Sequence, residues 1–208
     1  PAFIVSTFRK IGFANIWVRP PVEIYQMVPI TALDGITVEY TSSINTSFNS
    51  VQLTYGQNDA DFSDGQLVSR DAWGVADTFR IGALTLHASY QEAKISVDAL
   101  KPLFDGFRQF GPPGIDVANS FEVKGSSSSY LGIGMSYDPG SWFAIGEWGE
   151  VKSNGVFLAK NGWYLSAGYR LGSLTPFITV AQSKASSSPP DNARLETAYL
   201  PAPIAAQA

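Results

Sequence analysis

The stretch YLGIGMSYDPGSWFAIGEWG, Tyr130 to Gly149, holds two alternating runs around a tight turn, and its reading decides the fold. Leu131, Ile133, Met135 and Tyr137 alternate with Gly132, Gly134, Ser136 and Asp138, the period of two that gives the two sides of a β-strand opposite environments. Asp138, Pro139 and Gly140 supply the turn. In a soluble sandwich the apolar side would pack inward, and in a barrel crossing a bilayer it would face lipid. Periodicity serves both equally, so the choice rests on the remainder of the chain.

The same alternation recurs. Ile36, Val38 and Tyr40 form one apolar row; Val51, Leu53 and Tyr55 a second; Leu84, Leu86, Ala88 and Tyr90 a third; Trp163, Leu165, Ala167, Tyr169 and Leu171 a fourth, each opposed by small or polar residues. Two runs fit less well, because Asp77 falls in phase with Val75 and Phe79, and PFITVAQS (Pro176 to Ser183) is apolar on both sides. The pattern yields about nine strands. Short links near Ser43 to Ser47, at Gly82, at Asp138 to Gly140 and at Gly172 to Thr175 alternate with long ones over Phe8 to Leu33, Gln57 to Gly65, Ile95 to Ser126, Ser153 to Lys160 and everything after Ala185. Short and long connections at opposite ends of the strands are the arrangement of an antiparallel up-and-down transmembrane β-barrel.

Composition narrows the function classes. Among 208 residues only 15% are charged, 13% are aromatic and 19 are glycine, which suits many short strands. A net charge of -4 without a Lys/Arg cluster argues against a nucleic-acid partner, and the lack of cysteine removes disulfides and thiolate metal sites. No apolar run reaches the roughly 18 residues of a membrane-spanning helix, a test that strands escape. The opening PAFIVSTFRK lacks the pattern of a signal peptide. His87 is the only histidine and finds no metal-ligand partner by spacing, no Gly-x-Ser-x-Gly elbow is present, and Gly132 and Gly134 lie within a strand rather than before a helix. No enzyme activity, cofactor or metal is expected.

Aromatic placement selects the membrane reading. Tyr137 and Trp142 flank one short turn, Tyr169 and Phe177 another, and Phe79 precedes a third, while Tyr90, Trp148 and Trp163 lie toward the long-loop ends. Two such rows match the girdles of a barrel at its two interfaces. Glu39, Glu147 and Arg170 fall in the polar phase, as does His87. These four are the expected lumen-facing residues, because an Arg turned to lipid at the bilayer midplane would cost roughly 2–4 kcal/mol.

The segments WVRPPVEIY (Trp17 to Tyr25), YLGIGMSYDPGSWFAIGEW (Tyr130 to Trp148) and GWYLSAGYRLGSLTPF (Gly162 to Phe177) resemble a Gram-negative outer-membrane porin family. Relatives start with a signal peptide and finish on a strand with a terminal aromatic, whereas this chain ends LPAPIAAQA, so the resemblance implies one partial barrel domain over 1–208, an internal fragment of a porin of about 16 strands. It further implies an outer-membrane location, contact with outer-membrane lipid, passage of small hydrophilic solutes and ions, and admits a homotrimer. Long loops are expected near 8–33 and 95–126, and a loop-like tail over 185–208. DALKPLFDGFRQF (Asp98 to Phe110) has helical spacing, with Asp98 as N-cap and Gly111 as stop. Such a helix would narrow the pore or, as its apolar stripe favours, form an external lid or subunit contact. Arg9, Lys10, Arg19 and Glu23 would line a constriction or brace their own loop. Anion or cation preference stays open, and so does the alternative of a soluble β-sandwich or lipocalin-like binding module, whose apolar face would be a core.

Alternation sets Arg170 opposite Tyr169 and Leu171. Arg170→Glu is therefore expected to leave folding nearly intact, and Tyr169→Glu to impair folding or insertion. Heat-modifiable gel mobility of the Tyr169 variant measures the second effect; unaltered mobility would place Tyr169 away from lipid.

Overall fold

The computed structural model describes residue 17 and residues 21–27, 33–62, 65–153 and 159–185. Within them eight strands form a single antiparallel sheet in sequence order: β1 (Asp34–Ile44), β2 (Ser47–Phe62), β3 (Gly65–Ile81), β4 (Leu84–Val97), β5 (Ser126–Tyr137), β6 (Trp142–Lys152), β7 (Lys160–Tyr169) and β8 (Phe177–Ala185). Three helices accompany them: α1 (Val22–Tyr25), α2 (Lys101–Arg108) and α3 (Pro112–Phe121). None of these helices is long and apolar enough to cross a membrane. The described residues hold eight of the about nine strands expected, and among them β1 and β8 do not pair with each other, so the sheet is open there.

Short turns close one end. Gly82 has φ 54° between β3 and β4, and Gly140 has φ 105° between β5 and β6, a left-handed backbone that glycine adopts without steric cost. Asp138 adds a side-chain clamp, its Oδ1 accepting from the Gly140 N–H at 3.1 Å.

The other end departs from the expected loops. Of the long link expected over Gln57 to Gly65, Gln57 to Phe62 belong to β2 and Gly65 to β3. Register shifts at Gly56/Asn58 and Arg70/Trp73 let this extension continue past the regular ladder, with Asp71 taking φ 49° at the second. The single helix expected over Asp98 to Phe110 is a pair. α2 begins after Leu100 rather than Asp98 and ends at Arg108 with Gln109 as its C-cap, and Gly111 is instead the N-cap of α3, which follows at once. The two helices pack on each other, with Phe104 and Ala118 buried, and Gly114 lies so close to α2 that a Cβ there would sit 2.0 Å from the Phe107 carbonyl oxygen. Arg108 ties them by pairing with Asp105 and Glu122. The pair buries Phe104 and leaves Leu103 exposed.

Pairing register sorts every strand residue onto one of two faces. Ile36, Leu53, Val75, Tyr90, Leu131 and Leu165 share the apolar face. Nothing among the described residues covers it: Ile133 is 55% and Leu165 49% exposed, whereas Glu147 on the opposite face is 6% exposed. A water-soluble sandwich would show the reverse. Asp77 does lie on the apolar face, where Asn49 Nδ2 donates to its Oδ1 at 2.6 Å, so the irregularity in the sequence is a hydrogen-bonded pair. β8, apolar on both sides, is the exposed edge strand.

Phe79, Tyr90, Tyr137, Trp142, Trp148, Trp163 and Tyr169 all project from the apolar face in two rows. Phe177 does not. It pairs with Gly168 on the polar face, because the loop Leu171 to Pro176 shifts its phase from that of Tyr169. Beyond the row of Trp73, Tyr90 and Trp148, charges occupy the outer side at once: Asp59 with Arg70, Asp71 with Lys94, and Glu150 with Lys152. The apolar band thus has a sharp upper limit. In a bilayer, Leu165→Arg is expected to destabilise by about 2–4 kcal/mol, whereas Glu150→Arg, above the aromatic row, changes stability by less than about 1 kcal/mol. Urea titration in lipid vesicles measures both, and equal effects would refute the band.

Candidate functional site: the polar face and its docked segment

The polar face is built in rows by the ladder. Gly132, Gly149 and Gly162 form one row across β5, β6 and β7; Gly134, Glu147 and Tyr164 form the next. Glycines here lower the wall. The Tyr130 ring folds over Gly132 and Gly149, where a Cβ would meet its hydroxyl at 2.7 and 3.0 Å, and at Gly162 a Cβ would come within 2.6 Å of the Glu23 carbonyl oxygen.

That last approach marks the central feature. The segment containing α1 lies against the polar face of β6 to β8, with Ile24 fully buried and Met27 and Trp17 nearly so against Tyr164. Trp17 meets the Tyr164 ring edge-on, centroids 5.4 Å apart, and its indole N–H donates to Thr179 Oγ1 at 3.0 Å. Tyr25 and Tyr164 each donate a hydroxyl to the same oxygen of Glu147, both at 2.8 Å. A buried carboxylate needs such donors, since leaving one unsatisfied costs more than an ordinary hydrogen bond provides. Glu147 therefore anchors the segment to the wall.

The apolar face is bare and ringed by aromatics, and the polar face carries a folded-in segment. A family model described as Gram-negative porin matches residues 31–188. The chain belongs to that family. No curated protein and no solved structure is similar enough to the chain to match.

In this porin the other expected polar-face residues are spread rather than clustered. Glu39, on β1, accepts from Ser50 Oγ and lies five strands from Glu147. His87 faces the same side, its Nδ1 3.0 Å from Thr78 Oγ1, opposite Gly134. Glu23 sits on α1, where its backbone rather than its carboxylate meets the wall. Arg19, like Arg9 and Lys10, lies outside the described residues, as does the tail beyond Ala185.

Arg170 follows β7 and is neutralised. Its two terminal nitrogens each reach a different Asp138 oxygen at 2.7 Å, and its guanidinium lies 5.2 Å from the centre of the Phe143 ring. Its role is to lock the β5–β6 turn, so Arg170→Glu would set two carboxylates together and is not the mild change that alternation alone suggested. Tyr25, Tyr164 and Trp17 escaped the sequence reading. Tyr164 carried a signal, being a large aromatic in the small polar phase of its strand.

The Arg170 hydrogen bonds hold the Asp138 carboxyl below the ordinary carboxylate range, against the opposing pull of desolvation. A carboxyl lowered on folding contributes stability above its unfolded pKa and loses it as pH falls through the folded value. The turn is thus expected to be locked at neutral pH and to loosen only in acid below that range. Arg170→Gln should raise the Asp138 titration toward the ordinary carboxylate value, as followed by carboxyl NMR shifts; an unmoved midpoint would refute the pairing.

Proposed function

We propose that this porin forms the wall of a water-filled channel in the outer membrane of a Gram-negative bacterium, through which small hydrophilic solutes and ions diffuse passively. No bond is made or broken. The observation that carries the reading is the inverted distribution of polarity, with Glu147, His87 and Ser166 covered on one face while Ile133, Leu165 and Val180 stand uncovered on the other. Lipid is the medium in which the second face is satisfied without a protein partner. The stretch Trp163 to Tyr169 spans about 20 Å along β7, close to the apolar height of such barrels.

In this reading the segment holding Trp17 and α1 narrows the lumen from one wall. Glu147 positions that segment rather than meeting solute, and so does not line the path; Glu39, exposed on the same face, does, while His87 stays covered within the wall. Lipid on the outside and solute within are the partners, and an assembly of three copies is compatible with the bare face.

The full-length protein in a planar bilayer is expected to give ohmic ion conductance, and a silent bilayer with correctly folded protein would sink the reading. Gly162→Val keeps a good strand former but drives a side chain into the Glu23 carbonyl. Its single-channel conductance is expected to rise as the segment is displaced. Conductance equal to that of the parent would remove the segment from the path.

A further inference from the structure

We propose that Arg80, which the sequence reading did not single out, gives the channel an anion preference at its short-turn mouth. The inference rests on the channel reading above. Register sets Arg80 opposite Phe48 and Thr85 on the polar face, next to the β3–β4 turn. Its guanidinium lies 5.5 Å from the centre of the Phe48 ring, its side chain is exposed, and it forms no ion pair among the described residues.

Arg170 lies at the same end of the strands, but Asp138 cancels its charge. Glu39, the polar-face carboxylate of β1, is four residues farther up that strand from Ser43, the partner of Phe48, or about 13 Å. Glu147 is enclosed beneath the docked segment. Among the described residues Arg80 therefore supplies the uncompensated charge at this mouth. Contact with the Phe48 face restrains a long, flexible side chain while leaving the guanidinium hydrated and open to an approaching anion. A fixed charge on a pore wall biases which ions enter, because it acts before they are released from their water.

The test is the reversal potential of the full-length protein under a potassium chloride gradient. Wild type is expected to favour chloride, Arg80→Lys to keep that preference, Arg80→Gln to move it toward no selectivity, and Arg80→Glu to favour potassium. The double variant Asp138→Asn, Arg170→Gln removes a neutral pair and is expected to leave the reversal potential unchanged. The chain has no cysteine, so Arg80→Cys offers a second measurement on folded channels. Modification with a cationic thiosulfonate should restore chloride preference, and with an anionic one invert it. Open channels whose reversal potential ignores every change at position 80 would overturn the assignment of Arg80 alone. Absence of conductance from wild type and variants alike would overturn the channel reading instead.

Discussion

Everything in this structure depends on the register of one antiparallel ladder. Because side chains alternate strictly, the pairing of Ile133 with Trp148 and of Trp148 with Trp163 commits whole strands to a face, and a slip of one residue would exchange them. Register is strongly specified where the two faces have incompatible needs. Here one face holds Leu131, Ile133 and Met135 and the other holds Gly132, Gly134 and a buried glutamate. An offset would put the apolar row under the docked segment and turn Glu147 outward.

The same ladder creates the seat for the folded-in segment. Three glycines on three different strands fall in one row only because the register aligns them, and the space they leave accepts the Tyr130 ring and the Glu23 carbonyl. The next row supplies Glu147, which takes two tyrosine hydroxyls from opposite sides of the contact, one from the wall and one from α1. Packing and polar satisfaction thus act together. Trp17 and Ile24 fill the apolar part of the seat, and the carboxylate fixes the position of α1 along it.

Charges elsewhere are managed by pairing close to where they occur. Asp59 with Arg70 and Asp71 with Lys94 decorate the strand extension beyond the aromatic row, where water screens them and each contributes little to stability. Asp77 is the exception on the apolar face, and it is met by Asn49 on the adjacent strand. Arg170 and Asp138 brace a turn. Arg80, braced by a ring rather than an acid, stands apart from this pattern.

The sequence by itself determined the all-β antiparallel fold, the four short turns and the two aromatic rows, because period-two alternation and turn residues are local properties and the local backbone obeys them. It set Glu39 and Glu147 in the polar phase for the same reason, and the ladder pairs them with Gln52 and Gly134. Tertiary structure decided what those residues do. Glu147 became an anchor because Tyr25, far away in the chain, folds back onto it; Arg170 has its charge offset by Asp138 across a turn; and Phe177 changed face because the loop before it shifted its phase. Gln57 to Phe62, expected in a loop, proved to be strand because pairing with β3 carries β2 past the point where its alternation fades. Alternation reports which side a residue occupies, but a hydrogen bond between residues distant in sequence depends on how the chain returns to that side, and only the folded sheet contains that information.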